Sequence, residues 1–281
     1  MERRTFLTSS LIASALSVAP PAGQLLAAQD TPQEQPKDQS KQHAKETTRE
    51  FYLLRRYILT NGPQRKLCDD FFRDVLVPAL NRLAITPVGV FDLAIGAETP
   101  TFYVLMPSVS AELLVNLETR LAQDSVYMKV GAPFLNAPAT APAFVRMENS
   151  LMVAFEKIPR LTLPAATATH SPRVFELRTY ESPSDLDHKR KVEMMQSGEE
   201  EIFANAGFSQ VFYGDTVIGP RMPNLTYMLS YESVSVRDKK WAAFLASAAW
   251  KSMSSQPRYS FENIVSSITA LILTPTDYSQ I

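Results

Sequence analysis

Arginine, tyrosine and glutamate side chains alternate with other residues in three short segments of the chain. Alternation places every second residue on one face of a β-strand, so each segment presents its polar groups together. Guanidinium groups bind carboxylates through paired hydrogen bonds, and phenols combine a donor with an aromatic surface. Around a cavity, these residue types predict a pocket for a small anionic or aromatic ligand. The candidate pocket residues are Arg55, Tyr57, Glu176, Arg178, Tyr180, Tyr227 and Tyr231.

A second interpretation gives the same residues a structural role. Glu176 and the arginines would form buried ion pairs between two parts of the molecule, since buried charges require partners. Both interpretations place Glu176, Arg178 and Tyr180 inside a barrel. Arg55 and Tyr57 would face them from an earlier strand.

Histidine and cysteine give little support for metal or cofactor chemistry. The three histidines, His43, His170 and His188, are too far apart for an H-x-x-x-H pair. His188 is a weak candidate for a haem ligand, although a lone histidine followed by three cations is typical of a surface. The single cysteine, Cys68, excludes an intrachain disulfide and a cysteine-based zinc or iron–sulfur site. We predict no metal and no cofactor.

Composition removes further classes of function. The nine glycines include no pair separated by one residue, so a G-x-G-x-x-G dinucleotide loop cannot be written. Pro220 follows Gly219 where a phosphate-binding loop requires lysine. A formal net charge of −1 argues against a nucleic-acid partner. The hydrophobic fraction of 45% is sufficient for a packed core.

The N-terminus has the pattern of an export signal. Arg3 and Arg4 form a twin arginine, and a modest apolar stretch with small residues follows within residues 1–28. Residues 29–48 are rich in Gln, Lys and Glu and are predicted to be a disordered linker. The stretch within 1–28 is too short for a stable membrane anchor. We therefore expect a periplasmic or secreted protein that engages the twin-arginine export machinery.

The remainder of the chain repeats itself. The Leu-Arg-x-Tyr core at 54–57 recurs at 177–180, and three further matches follow in the same order at nearly the same offset. Each copy reads as strand, helix, strand, strand, helix, strand. The predicted copies cover residues 49–160 and 173–281, with a linker at 161–172.

This element order predicts an α+β fold of two tandem ferredoxin-like βαββαβ repeats. Helices cover one face of such a sheet and leave the other open. Two open faces bury each other, so the tandem copies predict a fused dimeric α/β barrel. A homo-oligomer of these fused units is compatible with the sequence.

The acidic run Glu199–Glu201 is typical of a solvated helix face.

The second copy resembles the NIPSNAP family. The resemblance is carried by FELRTYE at 175–181, FYG at 212–214, IGPRMPNLTYML at 218–229 and RDKKWAAF at 237–244. It extends over roughly residues 173–281. It implies a dimeric α/β barrel without a settled activity, in a superfamily that includes cofactor-free monooxygenases and haem proteins.

The first copy resembles the family only loosely. Leu53 stands where the second copy has Glu176. We therefore expect any functional site to be built mainly from the second copy.

Three functions remain, in decreasing order of support. The first is a non-catalytic protein that binds a small molecule or a partner. The second is a cofactor-independent oxygenase or isomerase that uses the barrel cavity, with Glu176 or His188 as base. The third is haem binding through His188.

Overall fold

A computed structural model describes residues 48–281 of the chain. The export signal predicted at 1–28 and nearly all of the linker predicted at 29–48 lie outside the described residues. Within residues 48–281, no helix combines the length and the apolar character needed to cross a membrane.

The first copy has four strands, and short helices cover one side of them. The strands are β1 (Phe51–Ile58), β2 (Gly89–Ile95), β3 (Thr101–Ser108) and β4 (Arg146–Ala154). The helices are α1 (Pro63–Phe71), α2 (Val77–Arg82), α3 (Ala111–Val115), α4 (Leu117–Ala122), α5 (Ser125–Val130) and α6 (Ala132–Leu135). A π-helical turn, Phe72–Leu76, joins α1 to α2. Ser110 and Asp124 accept backbone N–H bonds and thereby begin α3 and α5.

The second copy has the same order of elements. Its strands are β5 (Val174–Glu181), β6 (Ser209–Ile218), β7 (Asn224–Tyr231) and β8 (Ser267–Pro275). Its helices are α7 (Asp185–Met194), α8 (Glu200–Asn205), α9 (Val234–Ala246), α10 (Ala248–Ser254) and α11 (Phe261–Ile264). The π-helical turn Met195–Glu199 joins α7 to α8. Ser184, Ser233 and Ser247 cap α7, α9 and α10 through their hydroxyls.

The eight strands close into one barrel. Their order around it is β1-β3-β2-β8-β5-β7-β6-β4, and all pairs are antiparallel. Each copy contributes a ferredoxin-like sheet, and the pairs β2–β8 and β4–β6 join the two sheets. The predicted α+β fold, a fused dimeric α/β barrel made of two βαββαβ repeats, is confirmed.

The internal repeat is regular in the structure. A separation of 123 residues relates β1 to β5, the two π-helical turns, and β3 to β7. The pairing register fixes this alignment, because Leu53 lies opposite Met106 and Glu176 lies opposite Leu229. Met106 is therefore equivalent to Leu229.

The barrel interior is apolar over much of its length. Phe175 and Leu177 of β5 point inward and pack with Tyr52 and Leu54 of β1. The alternate residues of the same strands point outward, against the helices.

The predicted orientation of the polar residues is therefore wrong. Glu176, Arg178 and Tyr180 lie on the outer, helix-covered face, and so do Arg55 and Tyr57. Side chains must fill the interior of an eight-stranded barrel, and the Phe175–Leu177 face does so.

Candidate functional site

Glu176 is the centre of a polar cluster between β5 and α9. Its side chain is fully buried, and its two oxygens accept four hydrogen bonds. Oε1 accepts from Arg178 at 2.8 Å and from Arg237 at 2.5 Å. Oε2 accepts from Tyr231 at 2.9 Å and from the indole of Trp241 at 2.7 Å. The carboxylate is therefore fully satisfied, as a buried charge must be.

These contacts decide the charge state of Glu176. Burial alone would raise its pKa, but the hydrogen bond from Arg237 and the charge of Arg178 outweigh burial and hold the pKa below its usual range. An anion with a lowered pKa and no free lone pair is a poor proton acceptor. The hypothesis that Glu176 is a catalytic base is not supported by this geometry.

Arg178 connects the carboxylate to two phenols. It donates to the Tyr180 oxygen at 3.1 Å, and the Tyr227 hydroxyl donates to the same oxygen at 3.0 Å. The proton of Tyr180 takes no part in these bonds and is available to a ligand. The guanidinium of Arg178 also lies 4.5 Å from the ring centroid of Trp241, within range of a cation–π interaction.

A buried ion pair borders the same cluster. Lys191 of α7 donates to Glu199 of the adjoining π-helical turn at 2.7 Å, and both side chains are almost fully buried. The ammonium lies 5.2 Å from the Tyr180 ring centroid. Gly198 interrupts the helical backbone beside this pair, with a φ of 126° that only glycine adopts readily. The expectation that Glu199 is solvated is wrong.

An open cleft of about 370 Å³ lies between the outer face of the second sheet and its helices. Arg178, Lys191 and Arg237 bring three positive charges to it, and Glu199 and the Glu176 behind them bring two negative ones. The cleft thus combines aromatic walls with a surplus of positive charge. Its lining consists of Arg178, Tyr180, Lys191, Glu199, Arg237, Trp241, Phe244, Leu245, Trp250, Phe261 and Ile268.

The seven predicted residues form two clusters rather than one pocket. Glu176, Arg178, Tyr180, Tyr227 and Tyr231 lie together in the second copy. The other two candidates lie apart, beneath the helices of the first copy.

In the first copy, a buried arginine has different partners. Arg55 donates to Glu118 at 2.7 Å and to Asn149 at 2.9 Å. Tyr57 packs among aromatic rings, with Phe72 at 4.9 Å and Phe134 at 6.2 Å between centroids. Its side chain is part of a filled core.

The charged contacts of Glu176 and of the candidate arginines lie within one copy, so the interpretation of these residues as ion pairs between the copies is wrong. Glu118 and Trp241 are equivalent positions of the repeat. In the first copy, the helix residue Glu118 neutralises Arg55. In the second copy, Arg178 stacks on the indole of Trp241, and Glu176 of the same strand neutralises it.

His188 is a structural residue rather than a surface one. Its Nε2 lies 2.6 Å from Asp215 of β6, and its side chain is buried. Arg65 and Asp92 form the same helix-to-strand pair at the equivalent positions of the first copy. His188 does not line the cleft. Its Nδ1 is buried and has no hydrogen-bond partner, so it is not exposed to a haem in the cleft. Because the repeat has the same helix-to-strand pair in both copies, the contact of His188 with Asp215 is structural.

Metal binding has no evident location in the described part of the chain. Across residues 48–281, no three His, Cys, Asp or Glu side chains are grouped so that they could hold a metal ion. Cys68 is buried, and burial raises the pKa of its thiol to about 12. It is an inert core thiol.

Sequence reasoning missed Lys191, Arg237 and Trp250 as lining residues of the cleft. They lie on helices whose position over the sheet depends on long-range packing. Only one of the three had a local signal: Lys191 lies eight residues before an opposite charge, Glu199. The two side chains meet beside Gly198 of the π-helical turn.

Comparison with known proteins finds a family match within the second copy. The NIPSNAP family model matches residues 175–280. None of the curated proteins is significantly similar to the chain.

Two solved structures agree with the fold over most of the chain. A proposed monooxygenase from Lactobacillus acidophilus superposes with a TM-score of 0.52 at 9% identity, over 81% of this chain and 94% of that one. A proposed monooxygenase from Fusobacterium nucleatum gives 0.51 at 6% identity, over 82% and 93%. A NIPSNAP-like domain protein from Burkholderia xenovorans is 19% identical over 39% of this chain and 90% of its own, with a TM-score of 0.35. The second copy of the repeat, residues 175–280, is a NIPSNAP domain.

Proposed function

We propose that the cleft of the second copy binds a small aromatic anion and that the protein is a non-catalytic binding protein. The observation that supports this proposal is the stacking of Arg178 on Trp241 in an open cleft with a surplus of positive charge. The first copy, with the same fold, places a carboxylate at the position of that indole.

The chemistry of the lining favours an aromatic carboxylate or phenolate. Phe244 and Trp250 lie 4.6 Å apart between ring centroids and offer a wall for a planar ring. Arg178 and the free proton of Tyr180 provide donors for a negative group. A volume of about 370 Å³ suits a molecule of one or two rings.

Calorimetric titration with 1-naphthoate tests the proposal. We expect saturable binding to the full chain and about tenfold weaker binding to Trp250→Ala, because an aromatic anchor is lost. Trp250 lies outside the hydrogen-bonded cluster of Glu176, so the variant keeps that cluster. Tyr127→Ala is the matched control: Tyr127 has the equivalent position in the first copy and should not affect affinity. Equal affinity of wild type and Trp250→Ala, or no saturation by the wild type, would contradict the proposal.

A cofactor-independent oxygenase or isomerase in the same cleft is the alternative. Two similar folds belong to proposed monooxygenases, which supports it only at the level of fold. It ranks second because Glu176 is saturated with donors and His188 does not line the cleft. Haem binding ranks third for the same reason. Oxygen uptake with a dihydroxynaphthalene, absent in Trp250→Ala, would reverse the order of the first two.

Export remains a proposal that rests on the sequence. We propose that residues 1–28 direct the folded protein through the twin-arginine route to the periplasm or beyond. Replacing Arg3 and Arg4 by lysine should retain the protein in the cytoplasm, as measured by cell fractionation. Unchanged export would contradict the proposal.

The net charge of −1 supports the absence of a nucleic-acid partner. A homo-oligomer of the fused barrel is also retained as a proposal.

A further inference from the structure

The two ends of the barrel interior differ in polarity. Going along β5, the inward residues are Phe175, Leu177 and then Thr179. On β1 the corresponding series ends in Arg56. One end of the barrel interior is thus packed with apolar side chains of the strands, whereas the other end opens into a polar space.

We call this space the barrel well. Its volume is about 350 Å³. Three leucines form its deepest layer, and hydroxyl, guanidinium and carboxylate groups surround it above. The lining consists of Leu54, Arg56, Tyr103, Glu148, Ser150, Leu177, Thr179, Pro220, Arg221, Asn224, Thr226, Thr269 and Leu271.

Arg56 is the main charged group of the barrel well. It donates to Glu148 of β4 at 3.2 Å and to Glu98, which lies on the loop between β2 and β3. Its Nε is buried and has no hydrogen-bond partner. Glu98 is half exposed, so its carboxylate reaches Arg56 from the solvent side. A buried donor without an acceptor is costly, so the hydrogen-bonding capacity of Arg56 is not filled by its two carboxylate partners.

Arg221 brings a second guanidinium to the barrel well, from the loop between β6 and β7. It donates to Thr269 at 2.8 Å and lies 3.2 Å from Glu181. Tyr103 adds a phenol, and burial raises its pKa, so it remains a donor near neutral pH. The two guanidinium groups are paired with three carboxylates, those of Glu98, Glu148 and Glu181, so a ligand carboxylate would have to displace the exposed Glu98 from Arg56. The leucines of the barrel well are suited to a short carbon chain.

We propose that the barrel well binds a short aliphatic carboxylate that carries a hydroxyl or oxo group. The carboxylate bonds to Arg56, the hydroxyl or oxo group faces the serine and threonine hydroxyls, and the chain rests on the three leucines. In the free protein, Glu98 holds the place of the ligand carboxylate on Arg56. This site is separate from the cleft, because Arg56 and Leu177 point inward whereas Arg178 points outward.

Titration of the full chain with 2-hydroxyisocaproate tests the inference. We expect saturable binding to the wild type, and binding about two- to fivefold tighter to Glu98→Gln, because an exposed ion pair of ordinary strength no longer competes. Arg56→Gln should bind at least about tenfold more weakly, because the charged hydrogen-bond donor is lost. Glu98 is exposed enough that its substitution leaves the fold intact, so the test does not depend on Arg56→Gln being stable.

Arg65→Gln is the matched control, since it removes an ion-paired arginine on the outer surface of the same copy. It should bind 2-hydroxyisocaproate like the wild type. Trp250→Ala should also leave this binding unchanged, which separates the barrel well from the cleft. The inference is overturned if neither wild type nor Glu98→Gln shows saturation, or if Arg56→Gln binds as the wild type does.

Discussion

At the scale of single residues, the most informative group is the Glu176 carboxylate. Its proximity to Arg178 follows from the i, i+2 alternation of a strand and is predictable from the sequence. The bonds from Arg237 and Trp241 are not, because they require α9 to lie over β5. The sequence therefore identified the pair on the strand, whereas the packing of a helix sixty residues away determines the charge state of that pair.

Glu176→Gln should destabilise the protein strongly. The substitution leaves two guanidinium groups without their anion, and breaking a buried pair typically costs about 3–5 kcal/mol. Chemical denaturation at neutral pH measures this loss. Glu201→Gln, an exposed change on α8, is the control and should stay within about 0.5 kcal/mol of the wild type.

The pH dependence of the same variant has a defined sign. The folded pKa of Glu176 is below the unfolded value of about 4.3, so the folded state binds fewer protons. Its contribution to stability is complete above the unfolded pKa and is lost as the pH falls through the lowered folded pKa. As the pH is lowered, the free energy of unfolding should thus decrease less steeply in Glu176→Gln than in the wild type. Parallel acid limbs would contradict this assignment.

At the scale of elements, the two helical layers have diverged over one shared framework. In the first copy, Phe71 of α1 stacks on Phe134 of α6 at 3.9 Å between centroids, and aromatic rings fill the layer around Tyr57. In the second copy, Trp241 and Trp250 leave the cleft open. The same element order therefore produces a filled layer in one copy and a binding cleft in the other.

The sequence predicted the strands well and their orientation wrongly. Alternation is a local property, so the existence of β1 and β5 could be read directly. The face that points inward could not be read from the sequence, because residues on both faces are buried: Tyr180 on the outer face is about as buried as Leu177 on the inner one. Burial of both faces removes the polarity contrast on which such an assignment depends. The predicted order has one helix between the last two strands of the second copy, whereas the structure begins a separate helix, α10, at the Ser247 cap.

At the scale of the whole molecule, covalent fusion replaces a subunit interface. The pairs β2–β8 and β4–β6 join the two copies, and the inward faces of both sheets form one core. The internal repeat made this architecture predictable, because two open sheets have to cover each other.

Residues 173–281 alone should form a dimer. Without the first copy, Phe175, Leu177 and Leu273 would lose the partners that bury them, and the outer strands would be unpaired. Sedimentation of this fragment measures its mass. A stable, folded monomer would show that the second copy does not depend on the first to cover its inner face.

The register that joins the two copies also has an evolutionary consequence. In a barrel of two identical subunits, every substitution occurs twice, so a change that opens one helical layer opens both. Fusion removes this constraint: Leu53 and Glu176 occupy equivalent positions, yet each can vary without the other. One half can then be selected for rigidity and the other for recognition, a division of labour that a symmetric homodimer cannot encode.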